Sequence, residues 1–146
     1  MTPNPALADV APLVGRWRME LHNAAFLTDP DSRMIGSADF DWIEDGAALV
    51  MRQAASAGPP AAVWMIGRDE SDVNYQVHYA DSRGVSRVYQ MSFDATHWQM
   101  WRTTPEFSQR FEAEIAADAQ TIKGEWSKSI DGGAWEHDFD VDYIRE

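Results

Sequence analysis

Polar and apolar residues alternate along most of this chain. In the stretch WEHDFDVDY, Trp135, His137, Phe139, Val141 and Tyr143 share one face, while Glu136, Asp138, Asp140 and Asp142 share the other. A period of two is that of a β-strand, and the acidic face must meet water, so the aromatic face is expected inside. The pattern repeats upstream. Trp17, Met19 and Leu21 oppose Arg16, Arg18 and Glu20; Phe107, Gln109, Phe111, Ala113 and Ile115 oppose Arg110, Glu112 and Glu114; Ile122, Gly124 and Trp126 oppose Lys123 and Glu125. Slipping any strand by one residue would bury its charges, which fixes these faces strongly. Tyr75, Val77 and Tyr79 are expected to face in with His78 out, and Trp98 and Trp101 to lie on opposite faces.

Strands are predicted at 15–23, 37–44, 48–54, 62–68, 74–80, 85–94, 97–103, 106–116, 121–129 and 134–145. Most are separated by short polar turns such as EDGA, ADSRG, FDATH and SIDGGA, which join sequential antiparallel neighbours. Two links, AFLTDPDSRMIG and ASAGPPA, are longer. An up-and-down meander of about ten twisted strands tends to close, because closure removes its free edges. The prediction is an all-β chain forming one antiparallel barrel over residues 1–146. Ahead of it, Asn4-Pro5 followed by Leu7, Val10 and Val14 reads as a short helical turn broken near Pro12.

Composition narrows the function. The 146 residues carry no cysteine, which removes disulfides and thiolate chemistry and fits a reducing compartment. The N-terminal segment has no basic stretch followed by an apolar run, and no stretch is long and apolar enough for a membrane helix; a cytoplasmic protein is expected. A net charge of −12 repels phosphate backbones and anionic membrane surfaces, so neither nucleic acid nor membrane is an expected partner. Seven Trp, six Phe and four Tyr point to a bulky core or a lined cavity.

The GRW of 15–17, followed by a meander ending in DYIRE, resembles the calycins: lipocalins, fatty-acid-binding proteins and above all short bacterial lipocalin-like proteins with a helical turn before the Gly-x-Trp strand. The resemblance implies that Trp17 sits at the closed end of the barrel, capped by a basic residue of the last strand, matched here by Arg145. Gly15 would then let the chain cross close to that strand. In size and strand count the chain is also similar to the haem-binding nitrobindins. That family's first strand reads Gly-x-Trp-x-Gly-x-Gly, and Met19 and Leu21 stand here at the last two glycines. A histidine near the chain end, where nitrobindins carry their iron ligand, is present as His137.

Several uses of an interior remain open. His137, placed inward by alternation, serves as a core histidine bonded to Gln109 or a tyrosine, as a polar anchor for a ligand, or as the axial ligand of a haem. The expected function is binding of a small, largely apolar molecule. Trp42, Trp64, Phe111, Trp126 and Phe139 would supply contact and His137 and Gln109 would orient a polar head. Access would be opposite Trp17, past Phe26, Leu27, Met34 and Ile35. The alternatives are a nitrobindin-like haem barrel and a packed barrel serving as an interaction or homodimer module. Arg87, Arg102 and Arg110 are candidate anion partners, with Arg110 outward. Catalysis lacks a motif: there is no nucleophile elbow, phosphate loop or dinucleotide fingerprint, and an acid–base pair of His137 with Tyr89 or Tyr143 rests on faces alone. His22, His78, His97 and His137 occur singly and DPD and DESD read as turns, so neither a metal nor a cofactor other than the alternative haem is expected.

Overall fold

The computed structural model describes residues 3–27, 29, 31–55 and 60–146. Parts of the two longer links, with the proline of DPD, lie outside the described residues. Ten strands run in chain order: β1 (Gly15–His22), β2 (Met34–Ile43), β3 (Ala48–Ala55), β4 (Ala62–Gly67), β5 (Tyr75–Asp81), β6 (Ser86–Phe93), β7 (His97–Arg102), β8 (Phe107–Ile115), β9 (Thr121–Ile130) and β10 (Glu136–Arg145). Each pairs antiparallel with the next, and β1 pairs with β10 to close the barrel. Every predicted strand is present, with ends shifted by a few residues. The predicted helical turn is a 3-10 helix, Pro5–Leu13, which runs through Pro12 rather than breaking there.

The closed end is built around Trp17, which is 1% exposed. Leu7, Val10 and Leu13 of the 3-10 helix are buried with it, and the indole N–H donates to the Leu13 carbonyl at 2.9 Å. The Arg145 guanidinium lies 4.1 Å from the ring centroid and donates to the carbonyls of Val14 and Pro12 at 3.0 and 2.5 Å and of Ala119 at 3.3 Å. One side chain thus covers the ring and ties the N-terminal segment and the β8–β9 turn to the last strand. Gly15 is needed at this clasp. Its φ is +128°, and a Cβ would meet Arg145 Nη1 at 3.0 Å.

Inward aromatics fill the barrel above Trp17. Trp98 contacts Phe40, Phe111 and Tyr143 at centroid distances of 6.1, 5.0 and 5.8 Å. Gly124, directly across from Ala113, leaves room for the Phe111 ring, which would lie 2.5 Å from a Cβ there. His78 is out and Tyr75, Val77 and Tyr79 are in, while Trp98 is buried and Trp101 half-buried.

The last strand departs from its predicted faces. Phe139, Val141 and Tyr143 point inward, but the β9 register shifts between His137 and Phe139: His137 pairs with Ser127 and Phe139 with Trp126. This bulge places an extra residue on β10, so alternation breaks. His137 and Trp135 are exposed as a result. His137 Nε2 lies 2.8 Å from Asp140 Oδ1 on the outer face, and Trp135 is covered by the Arg110 guanidinium at 4.2 Å. The inward places predicted for both residues are therefore overturned.

Candidate functional site

The half of the barrel away from Trp17 encloses a cavity of about 570 Å³, within the ordinary range for small-molecule sites. Three layers define it. Met19, Leu21, Val141 and Tyr143 form the floor, Trp64, Trp126, Tyr79 and Tyr89 the walls, and Phe26, Phe107 and Phe139 the rim. The strands give it this composition directly: on one strand after another the inward residue at this level is large and apolar or aromatic. Trp64 contacts Tyr79, Tyr89 and Trp126 at 4.5, 5.6 and 5.9 Å, so the walls are one connected set of rings. Phe26, 56% exposed, leans edge-on against Phe139 at 5.9 Å and stands over the opening. Met34 also lines the cavity, whereas Ile35 points outward.

A small polar network interrupts these walls. Gln109 is 8% exposed, and its Oε1 accepts from the Tyr89 hydroxyl at 2.7 Å and from Arg87 Nη1 at 3.2 Å. Arg87 also lies over the Phe107 ring at 5.0 Å. Nearby, Tyr79 donates to Asp81 at 2.6 Å, and Asp81 is paired with Arg83 at 2.8 Å. The Asp81 carboxyl is held well below its ordinary range, first by the Arg83 hydrogen bond and then by Tyr79 and backbone N–H groups against the opposing effect of desolvation. Burial pushes the Tyr79, Tyr89 and Tyr143 phenols upward, with the Asp81 carboxylate adding to the rise at Tyr79. These phenols stay protonated at neutral pH and act as donors, not bases. At the rim, the bulge that expels His137 turns Asp138 toward the cavity, where it pairs with Lys128 at 3.4 Å.

Of the residues expected to bind a ligand, Gln109, Trp64, Trp126 and Phe139 line the cavity. Phe111 is fully buried beneath it, packed between Trp98 and Trp126. Trp42 is half-buried near the closed end, beyond Phe40, which pairs with Gly15. His137 lies outside. The pairing of His137 with Tyr89 or Tyr143 is excluded by the barrel wall between them. None of the four histidines lines the cavity: His22 bonds Asp142, His78 bonds Ser86 and His97 bonds Thr96. His137 consequently does not fit the role of an axial ligand to an interior haem. Composition and alternation missed Arg83 and Asp138; for Asp138 a signal existed, since alternation also turns Lys128 inward and a lysine there needs a carboxylate.

A second, open concavity of about 660 Å³ lies on the outer face, lined by His22, Lys123, Glu125, Glu112, Asp140 and Asp142 among others. Asp140, Glu125 and Glu112 stand directly opposite one another on adjacent strands, and atoms of Glu125, His137 and Asp140 come within 4.8 Å of each other. Among the described residues, no helix is long and apolar enough to cross a membrane.

No protein-family model matches the sequence, and no curated protein matches it. Among solved structures, the chain is similar to the crystal structure of Rv2717c from M. tuberculosis, with a TM-score of 0.73, 12% identity and 99% of each chain covered. At that identity, the likeness shows a shared barrel fold over the whole chain.

Proposed function

We propose that this chain is a binding protein that takes a small, largely apolar molecule into the barrel. The observation that carries this reading is the cavity of about 570 Å³ walled by connected aromatic rings. A barrel that served only as a packed module would fill this space with side chains, as its lower half does, because each buried large apolar side chain contributes roughly 1.5–3 kcal/mol. The apolar walls favour binding by area removed from water, and the few polar groups, gathered at Gln109, orient the bound molecule. The cysteine-free chain suits the reducing cytoplasm, and the reading places the protein there.

The test uses the neutral fluorophore N-phenyl-1-naphthylamine. Saturable binding is expected at one site per chain, with energy transfer from Trp64 and Trp126. Val141→Trp, which fills the cavity floor, should weaken that binding at least tenfold while circular dichroism stays unchanged. Absence of saturable binding, or full binding by a folded Val141→Trp variant, overturns the reading.

A further inference from the structure

Charge is spread unevenly around the outside of the barrel. On the flank formed by β8, β9, β10 and β1, outward positions carry Glu112, Glu114, Glu125, Asp140, Asp142 and Glu20. The flank from β3 to β7, on the far side of the closed sheet, carries no outward acid among the described residues. Its middle is Val63 and Met65 on β4, His78 and Ala80 on β5, and Val88 and Gln90 on β6. These side chains form continuous rows, since Met65 pairs with His78 and His78 with Val88, while Val63 pairs with Ala80. Arg52 is the one permanently charged outward residue in the described parts of these five strands. Their other charged residues, Asp81, Arg87 and Arg102, take inward positions across from Ala62, Tyr79 and Gln109.

Val63, Met65 and Val88 are 39%, 44% and 58% exposed. Single exposed apolar residues are ordinary, but these three are neighbours with no charge between them. The chain has 24 acids and 12 bases, so five adjacent strands without an outward acid depart sharply from its composition. Charge also decides what fits this flank. A partner drawn by attraction to a net charge of −12 would meet the acidic side instead. Two copies of this chain repel each other on every approach except one that turns both acidic flanks away. A two-fold axis through β5, the middle strand, does this, setting uncharged side chains against their own counterparts with no need for charge matching.

We propose that this flank receives a second copy of the chain, in a two-fold dimer centred on β5. Strand spacing and rise make the flank about 20 Å wide and about 20 Å long. Two such faces bury on the order of 1,000 Å² in all, which places the pair at the small, reversible end of protein interfaces. The contact lies on the side of the barrel, so the cavity mouth and the Arg145 clasp both stay free, and the inference stands apart from the binding reading.

Sedimentation velocity at about 100 µM should give twice the chain mass, falling to the single mass on dilution below about 1 µM. Each substitution occurs in both copies, so Val88→Glu sets two carboxylates into one contact and should weaken the dimer at least a hundredfold. Met65→Glu should act likewise, whereas Glu125→Lys on the far flank should leave the dimer intact; circular dichroism checks that each barrel is folded. Because the chain has no cysteine, one introduced thiol reports its own surroundings, a readout that holds should the glutamate variants fold poorly. His78→Cys should be joined to its counterpart by the short cross-linker bismaleimidoethane, and Glu125→Cys should not. A single chain mass at about 100 µM overturns the proposal and leaves the flank to a partner of other chemistry. A dimer that survives both glutamate substitutions, or that cross-links through Glu125→Cys and not His78→Cys, overturns it equally.

Discussion

Replacing Arg145 by Met removes the guanidinium while keeping much of the aliphatic stem that packs on Trp17. Two losses dominate. The cation–π contact, 4.1 Å from a ring that is 1% exposed, is worth about 1–2 kcal/mol in such a desolvated place. The charge-assisted bond to the Val14 carbonyl at 3.0 Å adds about 1.5–2 kcal/mol. The bond to Pro12 is exposed to water and that to Ala119 is long, so they add little. Together Arg145→Met should cost about 2.5–4 kcal/mol, which for a chain of this size lowers the melting temperature by roughly 10 °C. Arg145→Lys keeps the charge but loses the planar fork that serves ring and carbonyls at once, and should lose about half as much. A double-mutant cycle with Trp17→Phe, read by urea unfolding, should show a coupling of about 1–2 kcal/mol. Unfolding of Arg145→Met within about 1 kcal/mol of the parent chain, or a cycle with no coupling, would refute the clasp as the device that holds the closed end.

Three other substitutions probe separate features. Gly124→Val forces a side chain into space held by the Phe111 ring and should destabilise by about 1–3 kcal/mol, measured by thermal melting. His137→Ala removes an exposed contact to Asp140 and should leave stability within about 0.5 kcal/mol and fluorophore binding unchanged; a large effect on binding would contradict the outward place of His137. Because the Asp81 carboxyl is depressed in the folded barrel, the unfolded chain binds its proton first as pH falls below the ordinary value of 3.8. The contribution of Asp81 is thus complete above that value and lost below it, and Asp81→Asn should flatten the acid limb of a urea-midpoint profile recorded against pH.

The strands were legible because in β1, β8, β9 and most of β10 a largely apolar row faces a charged one, and short polar turns mark the boundaries of the less regular strands between them. Met19 and Leu21 could be assigned inward on the same ground. The bulge in β10 was hidden because Trp135, His137 and Phe139 continue the alternation without a break; what displaces His137 is the pairing with β9, a relation between strands that a single segment does not encode. Whether the barrel is hollow was likewise beyond the pattern. Phe111 and Trp126 both point inward and pair directly across β8 and β9, yet only Trp126 lines the cavity, and Phe111 is packed beneath it between Trp98 and Trp126.

The seam between β1 and β10 joins the first strand to the last, with Trp17 directly across from Arg145. During synthesis, β1 therefore waits with one edge unpaired until β10 has left the ribosome, and its indole stays uncapped until Arg145 arrives. β2 pairs with the opposite edge of β1 and leaves this one open. Closure is then a single late event, and a chain stalled a few residues short of Arg145 would carry an open sheet rather than a slightly frayed barrel.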